Sequence, residues 1–309
     1  MLRSAFLWLS DQRRIFEFVK QNGLARKAAS RFVAGEVTET AIEAARVLNE
    51  RGITVSLDLL GESVSVPDEA YAARDEVLST IDEIDRAGID GNVSVKLTQM
   101  GLDIDIGLCL ENMGAIMSRA NRHGMFVRID MESSAHTERT LQVFAELQPE
   151  YGDLTGVVIQ SYLRRSAKDI EDLVARGARV RLCKGAYSEP ATVAFQQKSE
   201  IDASYIRLAE RLLDHGNYPA LATHDEDMIQ RAIAYVDRKG IPLERFEFQM
   251  LYGVRRDLQH SLREKGYNMR VYVPFGSNWY PYLMRRLAEK PGNLGFMLAS
   301  VVKETFSRR

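Results

Sequence analysis

Eight short apolar runs, most of them rich in β-branched residues, punctuate the chain: Ile53–Leu60, Val93–Leu97, Phe126–Ile129, Val157–Ser161, Val180–Cys183, Ala220–Thr223, Phe246–Met250 and Val271–Phe275. Each is followed by turn-forming residues and a helical segment, the alternation expected of parallel strands joined by crossover helices. Gly88, Gly124, Gly177, Gly240 and Gly266 stand just before later runs, where helices end. Thr38 or Thr40 is placed to cap a helix running through Ala44, Ala45, Val47 and Leu48 to Arg51, with Gly52 closing it. Residues 1–35 read as an amphipathic helical segment bearing Phe6, Leu9, Ile15, Phe18 and Val19, and residues 36–309 as one domain. Pro291 and Gly292 stop a late helix, and residues 294–306 form a final one. Eight strand–helix units in 309 residues predict an α/β protein, a TIM-like (β/α)8 barrel with extra N-terminal helices.

In such a barrel the chemistry stands at the carboxyl ends of the strands. Lys96, Asp130, Gln160, Lys184, His224, Leu251 and Tyr272 lie in or just after the second to eighth runs, a mostly polar set. An inward lysine in an apolar strand is costly unless it is paired or functional, which singles out Lys96. The last run breaks at Gly276 and leads into a helix carrying Arg285 and Arg286. Adjacent residues lie about 100° apart around a helix, so the two guanidiniums can converge on one small anion. A carboxylate is the natural guest, because it matches the planar fork of donors.

Composition narrows the choices. The chain is 45% hydrophobic and 27% charged with a formal net charge of −2, ordinary for a globular protein with one large core. Acidic and basic residues nearly cancel and no basic block occurs, so nothing favours nucleic acid. Cys109 and Cys183 are the only cysteines; their scarcity fits a reducing compartment, and without spaced histidines they make no metal site. The apolar stretch Ala5–Leu9 is too short for a membrane span or a signal sequence. A cytoplasmic location follows, with membrane contact only peripheral.

At the fifth run the chain reads RVRLCKGAY from Arg179 to Tyr187. Together with VSVKLTQ around Lys96, RIDME around Asp130, ATHD around His224, FEFQML ending at Leu251, YVPFG from Tyr272 and YLMRRLAE around the arginine pair, it resembles the proline dehydrogenase family in its small, single-function bacterial form. The resemblance runs from about residue 30 to the C-terminus, with several motifs in order. It implies a distorted (β/α)8 barrel that holds FAD, oxidises L-proline to Δ1-pyrroline-5-carboxylate and passes the electrons to a quinone, the first step of proline catabolism to glutamate. It further implies Asp130 and Arg181 at the catalytic centre, Asp130 in a supporting role among cations. Lys96, Leu251, Tyr272, Arg285 and Arg286 would hold the substrate. Met131, Gln160, Arg181, Lys184, Gly185, Ala186, Thr223, His224 and Glu289 would meet the flavin. Cys183 departs from the small apolar residue expected before Lys184. No GxGxxG follows the first run, so the flavin is not bound in a Rossmann turn.

Two other readings stay open. One is a different flavin barrel, such as a methylenetetrahydrofolate reductase relative, against which Arg285 and Arg286 beside Tyr272 favour a small amino acid. The other is a non-catalytic barrel that binds an anionic metabolite or a protein, which predicts a colourless protein.

Overall fold

The computed structural model describes residues 30–61 and 63–289. Its element order is α1 (Thr38–Asn49), β1 (Thr54–Leu59), α2 (Pro67–Arg86), β2 (Gly91–Val95), α3 (Ile106–Arg122), β3 (Val127–Ile129), α4 (Ser134–Tyr151), β4 (Thr155–Gln160), α5 (Ser166–Ala175), β5 (Arg179–Cys183), α6 (Lys198–His215), β6 (Ala220–Ala222), α7 (Glu226–Lys239), β7 (Glu247–Leu251), α8 (Arg256–Glu264), β8 (Asn268–Phe275) and α9 (Trp279–Glu289). The eight strands are all parallel and close on themselves, each paired with its sequence neighbour and β8 with β1. The expected (β/α)8 barrel is the observed one.

Local chemistry explains the elements. Helix α2 opens with Pro67, Asp68 and Glu69, which suit the donor-rich first turn, and buries Ala70, Val77, Ile81 and Ile84 along one stripe. Helix α7 buries Met228, Ile229, Ala232, Tyr235 and Val236 at the same spacing. Neither threonine caps α1, contrary to expectation: extended Val37 holds the cap position without a side-chain bond, and Thr40 Oγ1 donates back to the Val37 carbonyl at 2.7 Å. Residues 30–33 run as turns and a bend. The rest of the N-terminal segment and the helix expected over 294–306 lie outside the described residues.

The barrel separates apolar from polar by strand alternation. Val55, Leu57, Val93, Val95, Val127, Ile129, Val180, Leu182, Val271 and Val273 are buried in one core with the surrounding helices. The alternate residues, turned inward, are mostly polar and include Ser56, Asp58, Asn92, Ser94, Arg128, Asp130, Arg181, Glu247 and Gln249, all buried. A smaller cluster joins Phe32, Val33 and Leu60 to Trp279, Tyr280 and Leu283, and seats α9 beside the carboxyl end of β1. Gly276 makes the turn before it at φ +125°, its amide donating to the Gly35 carbonyl at 2.9 Å. That φ is strained for any residue with a side chain.

Candidate active site

Asp130 follows the last residue of β3 and is 8% exposed inside the barrel. Ser94 Oγ donates to its Oδ1 at 2.7 Å, Arg181 Nη1 to the same oxygen at 2.8 Å, and the Tyr272 hydroxyl to Oδ2 at 2.7 Å. With three donors around one carboxylate, Asp130 caps no helix. Arg181, in the middle of β5, is 5% exposed; it also donates to the hydroxyls of Ser94 and Ser56 and lies 5.2 Å from the Tyr272 ring centre. Lys96, one residue beyond β2, donates to Asp58 Oδ1 at 2.5 Å and to the Tyr272 oxygen at 3.4 Å, and stands 3.9 Å from Asp130 Oδ2.

Five strands or strand ends, β1, β2, β3, β5 and β8, thus contribute to one charged string from Asp58 through Lys96 and Tyr272 to Asp130 and Arg181. Burial alone would lower the Lys96 pKa, but the Asp58 and Asp130 carboxylates more than offset it and hold Lys96 above the ordinary lysine value. Burial, with the same two carboxylates behind it, pushes the Tyr272 phenol well above its usual range, so it remains a donor. Asp58 is 1% exposed, and its second oxygen has no hydrogen-bond partner. Asp58 was missed in the sequence, as were Ser56 and Ser94, although the alternation in TVSLDL puts Ser56 and Asp58 on one face.

A second charged group occupies the rim of β5 and β6. Lys184 donates to Asp202 at 2.5 Å and to Asp225 at 2.7 Å, and Lys198 also bonds Asp202. Partial burial works against ionised Asp225, yet Lys184 and Lys198 together outweigh it and hold the pKa down at about 2; Asp202 shifts the same way, its burial outweighed by the same two lysines. Gly185 follows at φ +113°, where an added Cβ would lie 2.4 Å from the Tyr162 ring. Gly185 thus lets the main chain pack directly against the Tyr162 ring, and the next residue, Ala186, is exposed at the rim. Gln160 is buried, its Nε2 donating to the Glu132 carbonyl at 2.7 Å. His224 Nε2 accepts the Leu251 amide at 2.8 Å, which places the ring proton on Nδ1 and ties the ends of β6 and β7 together. Thr223 Oγ1 accepts the Asp225 amide at 3.1 Å.

Comparison with known proteins matches residues 41–299 to the family model described as proline dehydrogenase. The chain belongs to the proline dehydrogenase family. It is 41% identical over 304 residues to proline dehydrogenase 1 of Bacillus subtilis subsp. natto, covering 98% of this chain and all of that one. It is 40% identical to the proline dehydrogenase of Deinococcus radiodurans, with 98% of each covered. Among solved structures, proline utilization A from Bdellovibrio bacteriovorus inactivated by N-propargylglycine superposes with a TM-score of 0.79 at 28% identity, over 85% of this chain and 32% of that one. This proline dehydrogenase family member thus spans about a third of that longer protein.

Within this family member the structure brings Lys96, Asp130, Arg181 and Tyr272 into one constellation, and Leu251, His224, Thr223, Lys184 and Gly185 onto the adjoining rim. Met131 instead points into the core at 7% exposure. Arg285, Arg286 and Glu289 fall in the later turns of α9, and their side chains lie outside the described residues. Among the described residues no group of histidine, cysteine and carboxylate side chains is disposed to hold a metal, and no helix is long and apolar enough to cross a membrane.

Proposed function

We propose that this chain oxidises L-proline to Δ1-pyrroline-5-carboxylate with FAD as cofactor and a quinone as the final electron acceptor. The observation that carries the reading is the Asp130–Arg181–Tyr272–Lys96 constellation towards the carboxyl ends of the strands, buried at Asp130 and Arg181 and half-buried at Tyr272 and Lys96, in a chain of this family. The donor set on the rim suits a flavin dinucleotide: Arg181 and Gln160 face the barrel axis, Lys184 and Lys198, held in place by Asp202 and Asp225, are ammonium donors at the rim within reach of a pyrophosphate, and Gly185 lets the main chain follow the Tyr162 ring closely. When bound, FAD supplies the two-electron acceptor for the substrate C–H bond.

The protein's own groups do the rest. Lys96, with Arg285 and Arg286 from α9, clamps the substrate carboxylate, while Leu251 and the Tyr272 ring wall the five-membered ring. The substrate nitrogen must react in its neutral form because its lone pair assists loss of hydride from the adjacent carbon. Surrounding cations disfavour a protonated amine and so favour that form. Asp130 fixes Arg181 and the Tyr272 hydroxyl in place, and this positioning supplies rate because the hard step belongs to the cofactor. Purification tests the reading: yellow protein whose flavin is released on denaturation, and whose colour bleaches with L-proline in the absence of an acceptor, is expected. Folded protein that stays colourless in excess FAD, or is not bleached by proline, refutes it.

A further inference from the structure

The opposite end of the barrel holds a second charged chamber that the proposed reaction does not use. A cavity of about 190 Å³ opens among the amino ends of β2, β3, β5, β7 and β8. Arg128, Arg179, Arg181 and Arg270 line it, against Glu247 and the exposed Asp90 as the only carboxylates in its wall. Glu247 is already engaged, because Arg270 Nε donates to both of its oxygens at 3.0 and 3.1 Å. Arg181 is engaged by Asp130.

That leaves two guanidiniums facing the chamber with no carboxylate in salt-bridge contact, although Glu247 acts on both from a distance. Arg128 is 2% exposed and donates only to main-chain carbonyls, of Val157 at 3.1 Å and of Arg179 at 2.6 Å. Arg179 donates to the Asp153 carbonyl at 3.3 Å. Both stack on the Phe126 ring, at 4.6 and 4.5 Å from its centre, which holds them close together despite like charge. The Nε atoms of Arg128, Arg179 and Arg181 have no hydrogen-bond partner. Burial, reinforced by the facing Arg181 and Arg179, lowers the Arg128 pKa well below the ordinary arginine value, the sign of a cation without sufficient counter-charge. A buried charge of this kind is normally paired or hydrogen-bonded in full.

We propose that the amino-terminal mouth of the barrel binds a small oxyanion, a phosphate or a carboxylate, between the guanidiniums of Arg128 and Arg179. Guanidinium forks match both chemistries, and the chamber is large enough for either ion but not for a nucleotide. The site is separate from the substrate position at the far end, and shares with it only Arg181, which lies between them. It does not depend on what the chain oxidises.

Titration calorimetry on the protein as purified tests it, with inorganic phosphate and succinate as separate probes and sodium chloride keeping ionic strength constant. Saturable binding near one equivalent is expected with at least one probe, and which probe binds identifies the source of the oxyanion. Arg179→Gln should weaken it roughly 10-fold or more, the loss of one charge-assisted hydrogen-bond partner. Arg179 is outside the proposed substrate site, so this loss is not one at the Lys96 end. Glu247→Gln, which removes the buried carboxylate while keeping its shape, should tighten it. Absence of saturable heat with both probes, or equal affinity in wild type and Arg179→Gln, overturns the proposal. If Glu247→Gln does not fold, the Arg179→Gln comparison alone decides.

Discussion

The Asp130–Arg181 pair allows a test in which removing both partners costs less than the two single removals added together. Asp130→Asn keeps the shape but withdraws the carboxylate from Arg181, which is 5% exposed, leaving that guanidinium with two serine hydroxyls and the Tyr272 ring. Breaking a buried pair from one side typically costs about 3–5 kcal/mol, because the remaining charge is stranded away from water. Arg181→Gln should cost a similar amount from the other side, since it strands Asp130, though Ser94 and Tyr272 still donate to it. The double variant carries neither stranded charge, so it should fall short of the sum by about 2–3 kcal/mol. Urea unfolding at pH 7 followed by circular dichroism, with all four proteins in the same excess of FAD, measures that difference. Additivity within about 0.5 kcal/mol would mean that the two groups do not share a buried bond, and the constellation would lose its centre.

Three further outcomes follow from the proposed function and from the charges at the rim. Arg286→Lys should raise the proline KM roughly 10- to 100-fold while flavin stays bound, because the charge survives and the fork does not; an unchanged KM removes Arg286 from the carboxylate clamp. Tyr272→Ser should lower the ratio of kcat/KM for proline over 4-hydroxyproline, since a hydroxyl against apolar walls costs about 1–3 kcal/mol and the smaller residue opens that wall; a constant ratio means Tyr272 does not line the ring. Asp225, with its pKa depressed to about 2 beside Lys184, contributes stability that is fully present above the ordinary aspartate range near 3.8 and is lost as pH falls through 2. Asp225→Asn should therefore destabilise by about 1 kcal/mol at pH 6 once solvent screening is allowed for, and the gap between the two proteins should close towards pH 2; a gap independent of pH assigns the loss to something other than charge.

The strands were legible because each is a short apolar run, most of them β-branched or aromatic, with a turn beside it, and observed boundaries shift only slightly: Phe246–Met250 becomes Glu247–Leu251, and Ala220–Thr223 becomes Ala220–Ala222. Capping was not, because Thr38 and Thr40 both carry suitable hydroxyls while the chain turns at Val37. Among site residues, those at strand ends stood out by place, and Asp58 did not, since it sits within an apolar run and meets Lys96 38 positions away. The link from Tyr272 to Asp130 spans 142 positions and exists only because β8 closes onto β1. Side-chain alternation within each run carried the missing signal: Asn92, Ser94 and Lys96 on β2 and its end, Arg128 and Asp130 on β3 and its end, Arg270 and Tyr272 on β8 all point one way.

That alternation makes the barrel unusual in its interior. Such barrels are commonly filled by layers of branched apolar side chains, whereas this one runs from Arg128, Glu247 and Arg270 through Arg181 and Asp130 to Lys96 and Asp58. Stability does not account for it, because desolvating so many charges offsets most of their mutual attraction, and an apolar filling of equal volume is often as stable or more so. Folding must then rest on the outer layer, where the other face of every strand packs on helices in one continuous apolar core. Truncating a fully buried residue of that layer, such as Phe248, removes about 3–5 kcal/mol with nothing charged involved. The two faces of each strand therefore answer to different demands: the outward residues hold the barrel closed, and the inward ones hold Arg181, Tyr272 and Lys96 at fixed positions along its axis. A charged interior that contributes little to folding is explained by the chemistry at its carboxyl end and, at its amino end, by an anion to balance Arg128 and Arg179.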